Sequence, residues 1–155
     1  SPAMVGLSLA SFGVSMAIVQ GGIIRWIIPK FGDRNTIIYG FLFNFCAFTV
    51  LMLLSNGWVA LAFTPVTALG AVVTPAVQGM MSRIASDDQQ GELQGVIASS
   101  KAVAMILSPL VMTQVFWIFT SGDGLYLPGA PFGVAAGLML ICFAVFVLRP
   151  RRVIA

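Results

Sequence analysis

Five apolar stretches dominate the 155-residue chain: residues 4 to 24, 36 to 54, 58 to 82, 93 to 119 and 131 to 148. Each is long enough to cross roughly 30 Å of hydrocarbon at about 1.5 Å per helical residue. A backbone in lipid must satisfy its own hydrogen bonds, so such a stretch is a helix or belongs to a closed barrel. None alternates apolar and polar residues as a barrel strand does, and all exceed a strand's length. The expected fold class is all-α integral membrane, with five transmembrane helices in one domain over residues 1–155. Only 8% of the residues are charged, against about a quarter in a soluble domain.

The charges predict an orientation. Arg25, Lys30 and Arg34 lie between the first two stretches, Arg83 follows the third, and Arg149, Arg151 and Arg152 follow the fifth. These places share one side if the helices alternate in direction. The other side, with Ser1 to Ala3, "SNGW" at 55 to 58 and the Gly-rich "TSGDGLYLPGAP" at 120 to 131, has no lysine or arginine. The positive-inside tendency then puts the amino terminus outside and the carboxyl terminus in the cytoplasm. Asp123 falls in that outer loop, with Trp117 and Tyr126 as expected interface anchors. The chain opens at Ser1 without a signal-peptide pattern, and reads as part of something longer.

The stretch "IRWIIPKFGDRN", residues 24 to 35, is then a cytoplasmic hairpin, with Pro29 and Gly32 allowing a tight reversal. Its order of residues resembles the loop signature of the major facilitator superfamily, G-x-L-x-D-R-x-G-R-K. Lys30, Phe31, Gly32 and Arg34 match in type, whereas Pro29 replaces the first acid and Arg25 the first glycine. Such a degenerate copy is expected between the eighth and ninth helices. The segments "MVGLSLASFGVSMAIVQGG" and "TPAVQGMMSRIASDDQQGELQGVIASSKAVAMILSPL" are similar to helices eight, ten and eleven of the tetracycline-efflux branch, most specifically at Gln78-Gly79, Gln94-Gly95 and Pro109.

That resemblance covers essentially the whole chain and implies helices eight to twelve, an incomplete carboxyl-terminal six-helix half, of a twelve-helix transporter. It implies proton-coupled export of tetracycline or another amphiphilic drug by alternating access, in a bacterial inner membrane. The partners implied are a small-molecule substrate, protons, the bilayer and the missing amino-terminal half. A carrier of a sugar, an amino acid or another metabolite shares the loop signature, and a non-transporting membrane assembly subunit is a remoter reading. Tetracycline exporters carry a glutamine at the position of Gln20, in the substrate and coupling region, and several carry a histidine at the position of Met16. This chain has no histidine.

Polar side chains within the spans are candidates for the cavity because each needs a partner or a purpose there. Lys101 is the one ionisable residue well inside a span, roughly 12 Å along the helix from Leu93. A charge at that depth costs about 2.5 to 3.5 kcal/mol on insertion scales, less if it snorkels to the headgroups. Gln94, Ala98, Lys101, Ala104 and Ser108 share one helical face, as do Thr67, Ala71, Thr74, Gln78 and Ser82. Close helix packing would also use the second stripe. Gln20 shares a face with Met16 and Gly13. The expected cavity residues are Met16, Gln20, Thr74, Gln78, Lys101 and Ser108. The expected gating residues in the cytoplasmic loops are Lys30, Gly32, Asp33, Arg34 and Arg83.

Pro65, Pro75 and Pro109 each remove an amide from a helix interior and permit a bend. Ser86 or Asp87 is expected to cap the fourth span, with Asp87, Asp88 and Glu92 favoured by its dipole. A gating ion pair with the other half is the sharper alternative for this loop. Asn44 is expected to serve packing. Without histidine, an acid inside a span or a cysteine pair, these residues assemble no hydrolytic or metal centre. Cys46 and Cys142 read as apolar fillers. No catalytic residue, cofactor or metal is expected, and nucleic acid is not an expected partner, since the basic residues suit anionic headgroups.

Overall fold

The computed structural model describes residues 2–54, 56–121 and 126–148, and every regular element among them is helical. Ser1, Asp123, Arg149, Arg151 and Arg152 lie outside the described residues. Helix α1 (Pro2–Ile18) passes through a π-turn (Val19–Ile23) into α2 (Ile24–Leu53). Helix α3 (Gly57–Thr67) passes through a 3₁₀ turn (Ala68–Val72) into α4 (Val73–Ile84). A short 3₁₀ turn (Asp87–Gln89) leads into α5 (Gln90–Thr120), and α6 (Ala130–Leu148) follows.

By length and composition, four helical runs can cross a membrane: Ala3–Leu53, Gly57–Ile84, Asp87–Thr120 and Ala130–Leu148. The first contains both of the first two expected spans and is broken at Gly32, where φ is 75° and ψ is 160°. Only glycine is at ease in that region, having no β-carbon.

The hairpin expected over 24–35 is thus almost wholly helical, and its reversal is confined to one residue. Pro29 sits inside the helix rather than in a loop. Two side chains donate to carbonyls at the break: Asn35 Nδ2 to Phe31 O at 3.0 Å, and Thr36 Oγ1 to Gly32 O at 2.8 Å.

Packing contacts give the directions of the two legs. Val19 is buried against Ala68 and Val72, and Met4 Sδ lies near Gly57, so the leg before Gly32 runs parallel to α3 and α4. After Gly32 the order inverts: Asn44 bonds to Gly70, and Gly40 lies against Val72 and Val73. That second leg also runs antiparallel to α6, with Phe48 stacked near Phe132 and Phe41 near Phe146. Gly129 and Gly133 let α6 approach Met52 closely.

Both irregular turns have local causes. Gly21 and Gly22 weaken the α-helical preference where the π-turn forms. The 3₁₀ turn lies between Pro65 and Pro75, and Pro75 lacks the amide that would bond back to Ala71. The two turns meet through Val19, Ala68 and Val72, the buried core cluster. By contrast, none of the most apolar window of α5 is buried within the structure, and that helix remains unbroken at Pro109.

Candidate functional site

The residues expected in the cytoplasmic loops come together most clearly. Gly32 ends one leg, so Asp33 begins the next and faces the end of α4. There Arg83 Nη2 donates to Asp33 Oδ2 in an ion pair, the side chains being 60% and 24% exposed. The expectation grouped Arg83 with Asp87, Asp88 and Glu92, or with the other half of the transporter. Among the described residues its partner is Asp33, just after the break at Gly32. Lys30 Nζ lies 5.9 Å from the centroid of the Phe31 ring, within cation–π reach. Arg34 is half-buried beside the pair.

Two side chains missed as contributors hold this end together. Gln90 Nε2 donates to Ser82 O at 2.7 Å and Ala85 O at 3.0 Å, while Ser82 Oγ donates to Gln90 Oε1 at 3.0 Å. One amide thereby caps α4 and ties it to the first turn of α5. The "QQG" stretch held only a generic signal for this: a polar residue just beyond a helix end. The expected side-chain cap from Ser86 or Asp87 is absent at this turn; the Ser86 carbonyl accepts from Gln89 N at 2.9 Å.

The expected cavity residues divide differently. Gln20 is exposed, next to buried Val19 in the π-turn, and Met16 is half-buried. Because a π-turn holds more residues than an α-turn, the step from Met16 to Gln20 departs from the 3.6-residue spacing assumed from sequence. On α4, Thr74 is exposed and Gln78 half-buried. The ends of their stripe are occupied locally, since Thr67 Oγ1 donates to Thr64 O at 2.7 Å and Ser82 joins Gln90. Lys101 and Ser108 are exposed on α5. No hydrogen bond or ion pair among the described residues joins Gln20, Thr74, Gln78, Lys101 and Ser108 to one another.

Two cavities flank these features. One, of about 570 Å³, lies between α1, α3, the end of α2 and the start of α6, with Phe12, Phe48 and Phe132 in its wall. Its Ser8 and Thr64 hydroxyls are already spent on Val5 O and Ala60 O, both at 2.9 Å. The other, of about 900 Å³, adjoins the Asp33–Arg83 pair.

Comparison with known proteins adds a lineage to this geometry. A family model described as the Major Facilitator Superfamily matches residues 1–154. The chain is 33% identical over 142 residues to the class C tetracycline resistance protein of Escherichia coli, an alignment covering 92% of this chain and 35% of that protein. It is 33% identical over 134 residues to the class G tetracycline resistance protein of Vibrio anguillarum, covering 81% and 34%. The human hippocampus abundant transcript 1 protein is 30% identical over 119 residues, covering 77% and 24%. The chain thus spans about a third of the length of the tetracycline resistance proteins it matches. No solved structure matches it.

Proposed function

The chain belongs to the Major Facilitator Superfamily, and from that premise we propose that it serves proton-coupled export of tetracycline or a related amphiphilic drug. It is a transporter of the membrane rather than an enzyme. The observation that carries the substrate reading is the similarity, over 92% of the chain, to a tetracycline resistance protein.

In this reading the two legs about Gly32 are separate crossings, making five in all. Their opposite directions against α3 and α4 support that count, because a single 51-residue helix would be roughly 76 Å long at 1.5 Å per residue, more than twice the hydrocarbon thickness. The five correspond to helices eight to twelve, and the other half of the transporter, from the same longer chain, completes the cavity. The end carrying Lys30, Asp33, Arg34 and Arg83 faces the cytoplasm of a bacterial cell, in line with the basic residues gathered there.

Alternating access rocks the two halves around a central site. Gln20, Thr74, Gln78, Lys101 and Ser108 serve that site as polar groups on otherwise apolar helices, with Met16 beside them. The Asp33–Arg83 pair acts as the cytoplasmic clasp, with Lys30 and Arg34 flanking it and Gly32 setting the turn. Without histidine in these residues, proton transfer uses carboxylates supplied by the other half.

The test is tetracycline accumulation in energised cells expressing the full-length protein, with and without a protonophore. Accumulation lowered by expression and restored by the protonophore is the expected result. Unchanged accumulation with well-expressed protein overturns tetracycline as the substrate.

A further inference from the structure

Two departures from α-helical winding meet inside this bundle, and they are of opposite kinds. In the first leg the helix widens, with Ile24 N–H donating to Val19 O, five residues back. In the neighbouring run it tightens, with Val73 N–H donating to Gly70 O, three residues back. Thr67, Ala68 and Val72 have ψ values of −27°, −22° and −22°, in the 3₁₀ range.

The contact between the turns depends on that winding. Val19 is 2% exposed and set against Ala68 and Val72, with Ile23, Ile24 and Leu69 packed around them. Residues four apart lie about 120° apart around a 3₁₀ helix but about 40° apart around an α-helix. Ala68 and Val72 therefore splay to either side of Val19 in the tight turn, whereas in an α-helix they would stack and close that seat. From the other side, rewinding the wide turn as α-helix removes its one extra residue per turn. That rotates Val19 and the residues before it by about 100° relative to those beyond, and carries Val19 out of the seat.

We propose that the two turns form one joint with two states, wide turn beside tight turn and α-helix beside α-helix, which interconvert together. The local sequence lowers the preference for α-helix on both sides. Gly21 and Gly22 have nothing within 4 Å of an added β-carbon, so their lack of a side chain meets no packing need and acts on the backbone instead. Pro75 withholds the amide that would bond back to Ala71. Rewinding the five-residue tight turn shortens its run by roughly 2.5 Å, drawing α4 and Gln78 toward α3 while Met16 rotates on α1. The joint requires the helical bundle alone, so it stands or falls apart from tetracycline export.

The test is hydrogen exchange, read by mass spectrometry, on the full-length protein in nanodiscs. Gly21→Ala/Gly22→Ala favours α-helix in the first leg and should slow exchange several-fold at 68–74, in a run where nothing has been changed. Pro75→Ala, which returns the missing amide, should slow it several-fold at 19–24, because coupling between two sites is reciprocal. Val19→Ala, added to either variant, empties the seat and should abolish the distant effect. Exchange in α6 should stay as it is in the unmodified protein, which identifies a folded bundle, and each variant decides the matter alone. Slowing confined to the substituted helix overturns the joint. A distant effect that survives Val19→Ala, or equal slowing in α6, overturns it as well.

Discussion

Asn44 Nδ2 donates to the carbonyl oxygen of Gly70 at 3.0 Å, and the same Asn44 side chain fills the space where a β-carbon on residue 70 would sit. The bond joins α2 to the 3₁₀ turn between Pro65 and Pro75. It links residues 26 positions apart in the sequence.

Because hydrogen bond and close approach share the same two residues, their substitutions should couple. Asn44→Ala should cost about 0.5 to 1.5 kcal/mol for the lost bond. Gly70→Ala should cost about 1 to 3 kcal/mol, since the added methyl overlaps Asn44. Asn44→Ala/Gly70→Ala should cost less than the sum of the two, because the first change opens room for the second. Thermal unfolding of the four proteins in one detergent measures the cycle; strict additivity would contradict the contact.

Gly32 offers a test of backbone geometry alone. Nothing lies within 4 Å of an added β-carbon there, yet φ is 75°. Gly32→Ala should therefore lower stability by about 1 to 3 kcal/mol through strain without a clash. Gly21→Ala provides the contrast, since that position is equally open and has no positive φ. It should be neutral, or stabilising by up to about 1 kcal/mol from helix propensity. Equal melting temperatures for the two variants would remove Gly32 as the point of reversal.

At the α2–α6 contact, backbone rather than side chain sets the limit. A β-carbon on Gly129 meets the Met52 main chain, whereas one on Gly133 meets mainly the Met52 thioether. A methionine side chain can move, but a helix backbone cannot do so without displacing its neighbours. Gly129→Ala should therefore destabilise more than Gly133→Ala, and Met52→Ala should rescue only the second. Rescue of Gly129→Ala to the same extent would overturn this assignment.

These contacts explain which parts of the fold were legible in the sequence. Hydrocarbon thickness constrains span length, so α5 and α6 end within a few residues of their expected limits. The loop chemistry likewise identified Gly32, though not that it would reverse the chain alone while Pro29 remained helical. The π-turn at Gly21-Gly22 escaped because paired glycines weaken a helix without specifying its replacement. The Asp33–Arg83 and Asn44–Gly70 pairings escaped because they depend on which helices become neighbours. A polar stripe has the same weakness: on α5 every residue near Lys101 is exposed, so helical spacing alone does not select the face that meets a cavity.

The clasp should matter more to transport than to folding. An exposed ion pair contributes about 0 to 1 kcal/mol to stability, so Asp33→Asn and Arg83→Gln should change unfolding temperature little. If the pair holds one conformation of this end of the bundle, either variant should reduce energised export several-fold at equal expression. Asp33→Arg/Arg83→Asp should recover part of the loss because the attraction survives the exchange. An exchange variant no better than the single variants would show that the individual positions, rather than the pair, are required.

Lys101 gives the sharpest test of the cavity reading. A lysine at this depth can run along the helix to the headgroups or face water between the two halves, and these alternatives differ in accessibility. In a background with Cys46→Ser and Cys142→Ser, Lys101→Cys shortens the side chain and removes its snorkelling reach. A membrane-impermeant thiol reagent can then modify position 101 only if water reaches the helix surface itself. The expected result is labelling that tetracycline slows several-fold, with Met105→Cys, one turn further along and 76% exposed, available as a local reference. Labelling insensitive to the drug would separate an aqueous cavity from a tetracycline site. An inert Lys101→Cys in correctly inserted protein would place this face in lipid and leave Gln20 and Gln78 as the candidates for substrate contact.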